Sequence, residues 1–155
     1  MAKGFFRLTN RIHIFLYRLT SGRFGGRIQG LRVLLLTTRG RRTGASRTVP
    51  LATFQDGDSL IVVASNAGSD VHPGWFFNVR SQPRVRFQLG RAASAAEARL
   101  LEGEERGRVW SRLVALAPGY ARYEKSTKRV IPLIGLHRAS HSASHPEEDP
   151  GEGIP

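Results

Sequence analysis

The chain contains no cysteine, no long uncharged apolar run and few acidic residues, and each shortage excludes a class of protein. Without cysteine there is no disulfide framework, thiol nucleophile or Cys-based zinc site, and nothing indicates an oxidising compartment. Arg7, Arg11 and Arg18 interrupt the apolar N-terminal segment at intervals too short for a signal peptide or a membrane span. We therefore expect a cytoplasmic protein without a transmembrane helix.

The usual catalytic signatures are also missing. The chain has no G-x-G-x-x-G, no G-x-x-x-x-G-K-[ST], no H-E-x-x-H and no G-x-S-x-G, so nucleotide hydrolysis and acyl transfer lose support. His137, His141 and His145 are spaced four apart, as ligands on a helix would be, but they lie among serines beside Pro146. We expect no metal site.

Against 12 acidic residues stand 24 lysines and arginines, which gives a formal net charge of +12 and a pI near 11.5. Such a charge predicts attraction to a polyanion, which could be nucleic acid, an anionic membrane or a multiply charged small molecule. Charge alone does not choose among them. A length of 155 residues fits one domain.

The periodic segments predict an α+β fold, mainly antiparallel, with a barrel-like core and flanking helices. Residues 1–26 read as an amphipathic basic helix and a Gly-rich turn, 27–137 as the folded domain, and 138–155 as a disordered tail without periodicity. Two interpretations of the helix stay open: it lies over the barrel with its arginines in water, or it rests on a membrane surface. Strands are predicted at 31–38, 47–54, 60–65, 84–89, 92–100 and 130–136, and helices at 73–80, from 104 to 117 and at 120–128.

The most informative stretch is the turn between the first two of these strands, which carries Arg39, Arg41, Arg42 and Arg47. A guanidinium is a planar fork of donors that grips phosphates and carboxylates two bonds at a time. Glycines in the same turn allow backbone N–H groups to approach a ligand closely. The turn therefore predicts an anion site, and a solvated basic hairpin is the alternative.

Three further motifs follow in order: Val63-Ala64-Ser65-Asn66-Ala67-Gly68, then Pro73-Gly74-Trp75-Phe76-Phe77-Asn78-Val79, then Pro118-Gly119-Tyr120-Ala121-Arg122-Tyr123 with Thr127-Lys128-Arg129-Val130-Ile131-Pro132. Together with the arginine turn they resemble the deazaflavin-dependent nitroreductase family, over about residues 18–136. The resemblance implies a split β-barrel of the FMN-binding type and the deazaflavin coenzyme F420, which carries a phosphodiester and a tail of glutamates. FMN is the less favoured cofactor, because its phosphate needs fewer arginines.

The family pattern also implies roles for individual residues. Arg41, Arg42, Thr43 and Arg47 would hold the phosphodiester and the tail. The other residues expected to bind the coenzyme are Thr48, Val49, Pro50, Leu51, Val63, Ala64, Ser65, Asn66, Gly74, Trp75, Phe76, Phe77, Asn78 and Tyr123. The family often has lysine where Asn66 stands, and an amide cannot supply that charge.

By the same resemblance the protein is an F420H2-dependent reductase that transfers a hydride to an electrophilic acceptor, such as a quinone or a nitro compound. Tyr123 or Tyr120 would donate a hydrogen bond or proton to the acceptor. Tyr120, Tyr123 and Ser126 would line the substrate pocket, and Ser126 replaces a tyrosine of the best-known nitroimidazole-reducing member. A lipophilic quinone would give the basic helix a reason to rest on the inner face of an anionic membrane.

Two other functions remain as alternatives. Related split barrels include non-catalytic carriers of lipid or flavin. Net charge alone suggests a nucleic-acid-binding protein, but the sequence has no reader motif and its aromatic residues sit in apolar patterns, so we expect no nucleic acid partner. Either a monomer or a homodimer is compatible with the sequence.

Overall fold

The computed structural model describes residues 2–23 and 26–139, with side chains from Asn10 onward. Most of the predicted tail, residues 140–155, lies outside the described residues. The elements in chain order are α1 (Ala2–Leu19), β1 (Arg27–Ile28), β2 (Leu31–Arg39), β3 (Ser46–Asp56), β4 (Ser59–Val63), a 3₁₀ turn (Asn66–Gly68), α2 (Gly74–Ser81), β5 (Arg84–Leu89), β6 (Ala92–Leu100), α3 (Gly103–Leu116), α4 (Gly119–Ser126) and β7 (Leu133–Arg138).

Six strands close into an antiparallel barrel in the order β2-β3-β4-β7-β6-β5, and β5 pairs back with β2. The closure joins Leu35, Leu36 and Thr37 of β2 to Gln88, Phe87 and Arg86 of β5. β1 pairs with β2 outside this ring. The predicted α+β split barrel is confirmed. Closure leaves few free strand edges, so the functional surface is formed by turns and by the helices around the barrel.

Apolar side chains that alternate along the strands fill the barrel, and α2 closes one end of it. Leu34 and Leu36 point inward together with Phe87, and Trp75 and Phe76 of α2 pack against the same interior cluster. Because Pro73 precedes the first turn of α2 with extended backbone, the helix begins at Gly74 without needing a donor from the proline. The aromatic residues of this motif are therefore core residues as well as neighbours of the arginine turn.

The outer surface of the barrel is covered on two sides. α3 and α4 pack over β3, β4 and β7 through a second core that includes Ile61, Val109, Leu113 and Tyr120. α1 covers β2, where Tyr17 packs on Val33 and Leu35. This explains why the middle of β2 is apolar on both faces: Leu34 and Leu36 face the interior, and Val33 and Leu35 face α1. None of the described helices is long and apolar enough to cross a membrane.

The predicted elements correspond to the observed ones with two differences. β1 was not predicted, because two residues show no periodicity. The last strand runs from Leu133 to Arg138 instead of from 130 to 136, so its end includes the first residue of the predicted tail, where Arg138 pairs with Ala96. It begins later because Pro132 lacks an N–H; the proline carbonyl accepts a hydrogen bond from the backbone of Ala64. This bond ties the start of β7 to the end of β4, where the Ser65-Asn66 corner begins.

Candidate functional site

The arginine turn between β2 and β3 is closed by its own hydrogen bonds. The N–H of Gly40 donates to the carbonyl of Ala45 at 2.8 Å, and the N–H of Gly44 donates to the carbonyl of Gly40 at 2.7 Å. Gly44 has a φ of +68°, a conformation that costs little only for glycine. Thr43 accepts a bond from the N–H of Ala45 at 3.3 Å. The N–H groups of Gly40 and Gly44 are therefore used within the turn, contrary to the expectation that they approach a ligand, while the arginine side chains of the turn are exposed.

Helix α2 fixes the start of this turn. The N–H of Arg41 donates to Oδ1 of Asn78 at 3.1 Å, and Nδ2 of Asn78 donates to Oγ1 of Thr38, also at 3.1 Å. The guanidinium of Arg41 lies 4.6 Å from the centroid of the Phe77 ring, within cation–π range. Asn78 is almost completely buried, so the amide joins β2, the turn and α2 at one rigid point.

Beside the turn lies an open groove of about 1040 Å³, bounded by α1, the turn, the start of β3 and the start of α2. Pockets for drug-sized ligands measure about 300–1,000 Å³, so the groove can hold an extended ligand. The described residues lining it include five arginines and no carboxylate: Arg11, Arg18, Arg41, Arg42 and Arg47. The ion pairs among the described residues involve other arginines, namely Arg99, Arg108 and Arg112. The groove is therefore built for an anion with several charges.

The structure brings many of the predicted coenzyme residues together at this groove. Those that line it are Arg41, Arg42, Thr43, Arg47, Thr48, Val49, Gly74, Trp75 and Asn78. Pro50 and Leu51 continue β3 beyond the groove, and Leu51 packs toward the barrel interior with Phe77. Val63 and Ala64 are buried, and Phe76 is a core residue. For these residues, which do not line the groove, contact with the coenzyme stays a prediction.

The Ser65-Asn66 corner lies at the end of β4 and is held by the segment after α4. Arg129 donates to the carbonyls of Ala64 at 3.1 Å, Ser65 at 2.8 Å and Ser69 at 2.8 Å. Its remaining nitrogen lies 3.0 Å from Nδ1 of His72, which must then accept. One guanidinium thus fixes the path of the chain from the end of β4 toward α2.

Within this corner the backbone enters the left-handed region at two successive residues that are not glycine, Asn66 at φ +46° and Ala67 at φ +52°. Asparagine tolerates this conformation better than lysine, and its Nδ2 donates to the carbonyl of Val71 at 2.8 Å. The departure from the family pattern at Asn66 therefore has a local structural reason. Two left-handed residues therefore store strain in a corner whose Ser65 and Asn66 are expected to bind the coenzyme.

The two tyrosines predicted for catalysis lie on α4, away from the arginine groove. Tyr120 is 4% exposed within the outer core, and burial raises its pKa to about 12. Tyr123 is half-buried, its ring meets that of Tyr120 edge-on at 5.5 Å, and its hydroxyl accepts a bond from Nε2 of Gln29 at 3.0 Å. Ser126 donates to the carbonyl of Gly68 at 3.2 Å, which joins α4 to the strained corner.

Sequence reasoning missed the roles of four residues in this region. Arg11 and Arg18 line the groove, although their spacing indicated only a basic helix face. Gln29, which contacts Tyr123, carries no signal in the sequence. Arg129 lies in the last of the sequence motifs, Thr127 to Pro132, but the family resemblance implied no role for it. Within the described part of the chain, no group of three or more His, Asp or Glu side chains could hold a metal ion.

The closed six-stranded antiparallel barrel defines the split-barrel fold, and the polycationic groove beside it defines a site for an anionic ligand. Residues 9–137 match the family model described as F420H(2)-dependent quinone reductase. The chain is 35% identical over 132 residues to an F420H(2)-dependent quinone reductase of Mycobacterium tuberculosis, covering 83% of this chain and 89% of that protein.

Two solved structures are similar over the same region. One is an F420-H2 dependent reductase with a TM-score of 0.63 and 39% identity, covering 68% of this chain and 93% of that one. The other, described as a domain-swapped dimer, has a TM-score of 0.65 and 32% identity, covering 88% of this chain and all of that one. The chain belongs to the F420H(2)-dependent quinone reductase family. The expected class, an oxidoreductase that uses coenzyme F420, is confirmed.

Proposed function

We propose that this protein transfers a hydride from reduced coenzyme F420 to a quinone-like acceptor. The observation that carries the proposal is the groove of five arginines without a carboxylate, beside the N-terminus of α2. The donor set fits a ligand with a phosphodiester and several carboxylates, because each guanidinium can hold an anionic group through two bonds. A neutral or singly charged ligand would leave most of these arginines unpaired.

Arg41, Arg42 and Arg47 hold the phosphodiester and tail, and Asn78 keeps Arg41 in place through the backbone. When bound, the reduced deazaflavin supplies the hydride. The protein aligns donor and acceptor and excludes water, with Thr48 and Val49 lying along the ligand and Trp75 closing the barrel end. Hydride transfer of this kind needs no charged acid/base pair in the protein.

Tyr123 donates a hydrogen bond or proton to the oxygen of the acceptor. Its hydroxyl oxygen accepts from Gln29, which orients the ring and leaves the phenolic proton to be donated. Tyr120 supports it by packing edge-on against its ring. Ser126 and the Asn66 corner complete the acceptor side.

The test is turnover. Purified protein is mixed with reduced coenzyme and menadione, and the absorbance of the oxidised deazaflavin is followed. We expect its return at a rate proportional to protein concentration. A rate equal to the protein-free reaction, with the coenzyme bound but not consumed, would instead establish a non-catalytic carrier.

We also propose that α1 rests on the inner face of an anionic membrane. Ile12, Leu16 and Leu19 share one helical face and are 52%, 38% and 70% exposed. Arg11 and Arg18 border this face, and the chain carries an excess of 12 positive charges. A helix at the headgroup level would receive a lipophilic quinone directly from the bilayer.

Vesicle sedimentation tests the membrane proposal. Binding to vesicles containing phosphatidylserine should exceed binding to neutral vesicles and should fall in Leu19→Asn. Leu116→Asn removes a leucine that is 51% exposed on α3 and should bind like the parent. Equal binding by both variants, or no preference for anionic lipid, contradicts the proposal.

We propose a homodimer as the assembly, because one of the similar solved structures is a domain-swapped dimer. Light scattering on the purified protein should give about twice the chain mass of 17.1 kDa. A mass of one chain at micromolar concentration would show a monomer instead.

A further inference from the structure

Helix α1 presents three different faces, and residues of two of them line the groove. Residues spaced by four and then three lie on the same side of a helix. Asn10, Ile14 and Tyr17 form the side that is turned toward the barrel, while Ile12, Leu16 and Leu19 form the exposed apolar side. The remaining side carries Arg11, Phe15 and Arg18, which line the groove together with Asn10 and Ile14 and with the arginine turn.

The orientation of this side is fixed by Tyr17. Its ring is 1% exposed against Val33 and Leu35. Its hydroxyl donates to the carbonyl of Val33 at 2.7 Å and accepts from the N–H of Gly90 at 2.9 Å, so the hydroxyl is bonded to both β2 and the β5–β6 turn. With this anchor one residue before Arg18, the helix has little freedom to turn its arginines away from the groove.

The charges on the two walls have the same sign. Arg11 and Arg18 on α1 face a space that is also lined by Arg41, Arg42 and Arg47, and none of these five has a carboxylate partner among the described residues. Like charges that share a groove repel one another, and an anion between them reverses the sign of that interaction. Arg11 and Arg18 therefore contribute a favourable electrostatic energy only when a polyanion is bound.

We propose that Arg11 and Arg18 form the second half of the site for the anionic tail, so that the tail is held between α1 and the arginine turn. This inference rests on the proposed function and adds a specificity to it: the number of carboxylates in the tail determines how tightly the coenzyme binds. Phe15, which lies between the two arginines and is 64% exposed, provides an apolar contact for the methylene groups of the tail.

Equilibrium binding to two ligands tests the proposal. One ligand is the complete oxidised coenzyme; the other is the deazaflavin core without phosphodiester and glutamates. Arg11→Gln and Arg18→Gln should each weaken binding of the complete coenzyme by about three- to tenfold, and the double variant by roughly 10- to 100-fold. Binding of the core should change by less than about twofold, since it cannot reach the far wall. Helicity, measured by circular dichroism, should not change.

Arg32→Gln is the matched control, because Arg32 is an exposed arginine at the opposite end of β2 from the turn. It should bind both ligands like the parent. The inference is wrong if the double variant keeps the parent's affinity for the complete coenzyme, or if it weakens binding of the core to the same degree. If the parent binds neither ligand, the proposed function itself fails, and the two failures are thus distinguished.

Discussion

The backbone N–H of Arg41 donates to the side-chain oxygen of Asn78 at 3.1 Å, so the position of the first groove arginine of the turn is set by helix α2. The same amide donates to Thr38 on β2. A site made of flexible arginines thus rests on a buried polar contact between two rigid elements.

Replacing Asn78 by leucine should destabilise the protein. The substitution keeps the approximate volume but leaves the N–H of Arg41 and the hydroxyl of Thr38 without their partner, at a cost of about 1–3 kcal/mol in the free energy of unfolding. Urea denaturation measures it. Gln82→Leu, an exposed amide just beyond α2, should stay within about 0.5 kcal/mol of the parent. Equal stability of Asn78→Leu and the parent would show that the amide does not matter.

Replacing Arg41 or Arg47 by alanine should weaken coenzyme binding more than about tenfold, because each removes a charge-assisted contact worth about 1.5–3 kcal/mol. Fluorescence titration measures the dissociation constant. Arg32→Ala serves as the control at the far end of β2. An unchanged constant in both groove variants would mean that the tail lies elsewhere.

Arg129 should control the mobility of residues 64–72. Replacing it by methionine removes the donors to the carbonyls of Ala64, Ser65 and Ser69, so the amides of this segment should exchange with solvent at least about tenfold faster. Mass spectrometry after hydrogen–deuterium exchange reports the rate. Arg122→Met, an exposed arginine of α4, should leave exchange in this segment unaltered, and the same protection in Arg129→Met would refute the assigned role.

The two tyrosines of α4 should respond differently to loss of the hydroxyl. Tyr123→Phe should lower kcat for menadione by about 10²-fold while the coenzyme dissociation constant stays within roughly threefold, since the missing proton donor acts on the acceptor. Tyr120→Phe should retain most of kcat, because that hydroxyl is buried in the outer core. Full activity of Tyr123→Phe would show that Tyr123 is not the proton donor. A larger loss in Tyr120→Phe would assign that role to Tyr120 instead.

His72 should make stability depend on pH. Burial lowers its pKa below the usual 6.5, and the guanidinium of Arg129 beside it acts in the same direction. The unfolded chain therefore takes up a proton at a higher pH than the folded chain does, so this contribution is present above about pH 6.5 and is lost as the pH falls. Between pH 7 and 5 the free energy of unfolding should decrease more in the parent than in His72→Gln. Parallel curves would contradict the prediction.

Much of the fold could be predicted from the chain because the strands carry their own pattern. The continuous apolar run from Val33 to Leu36 and the alternation from Arg84 to Leu89 are both local patterns, and they predict the strand positions directly. The closure of β2 on β5 depends on pairing between residues about fifty positions apart, for which the sequence has no local signal. The resemblance to a known family supplied that step.

The site was predictable in part for a similar reason. The arginines and glycines of the turn are adjacent in sequence, so their chemistry can be read there. The bonds of Asn78 reach back 37 and 40 residues, and those of Arg129 reach back about 60, so only the folded chain reveals them. Arg11 and Arg18 have the spacing of any exposed helix face, and only the anchor at Tyr17 turns them toward the groove.

The central claim is that the arginine groove binds coenzyme F420, and a titration of the purified protein against two ligands tests it directly. Oxidised F420 should bind with micromolar or tighter affinity that weakens as salt is raised, whereas FMN, with its single phosphate, should bind at least about tenfold more weakly. The opposite preference, or no F420 binding at low salt, would contradict the account.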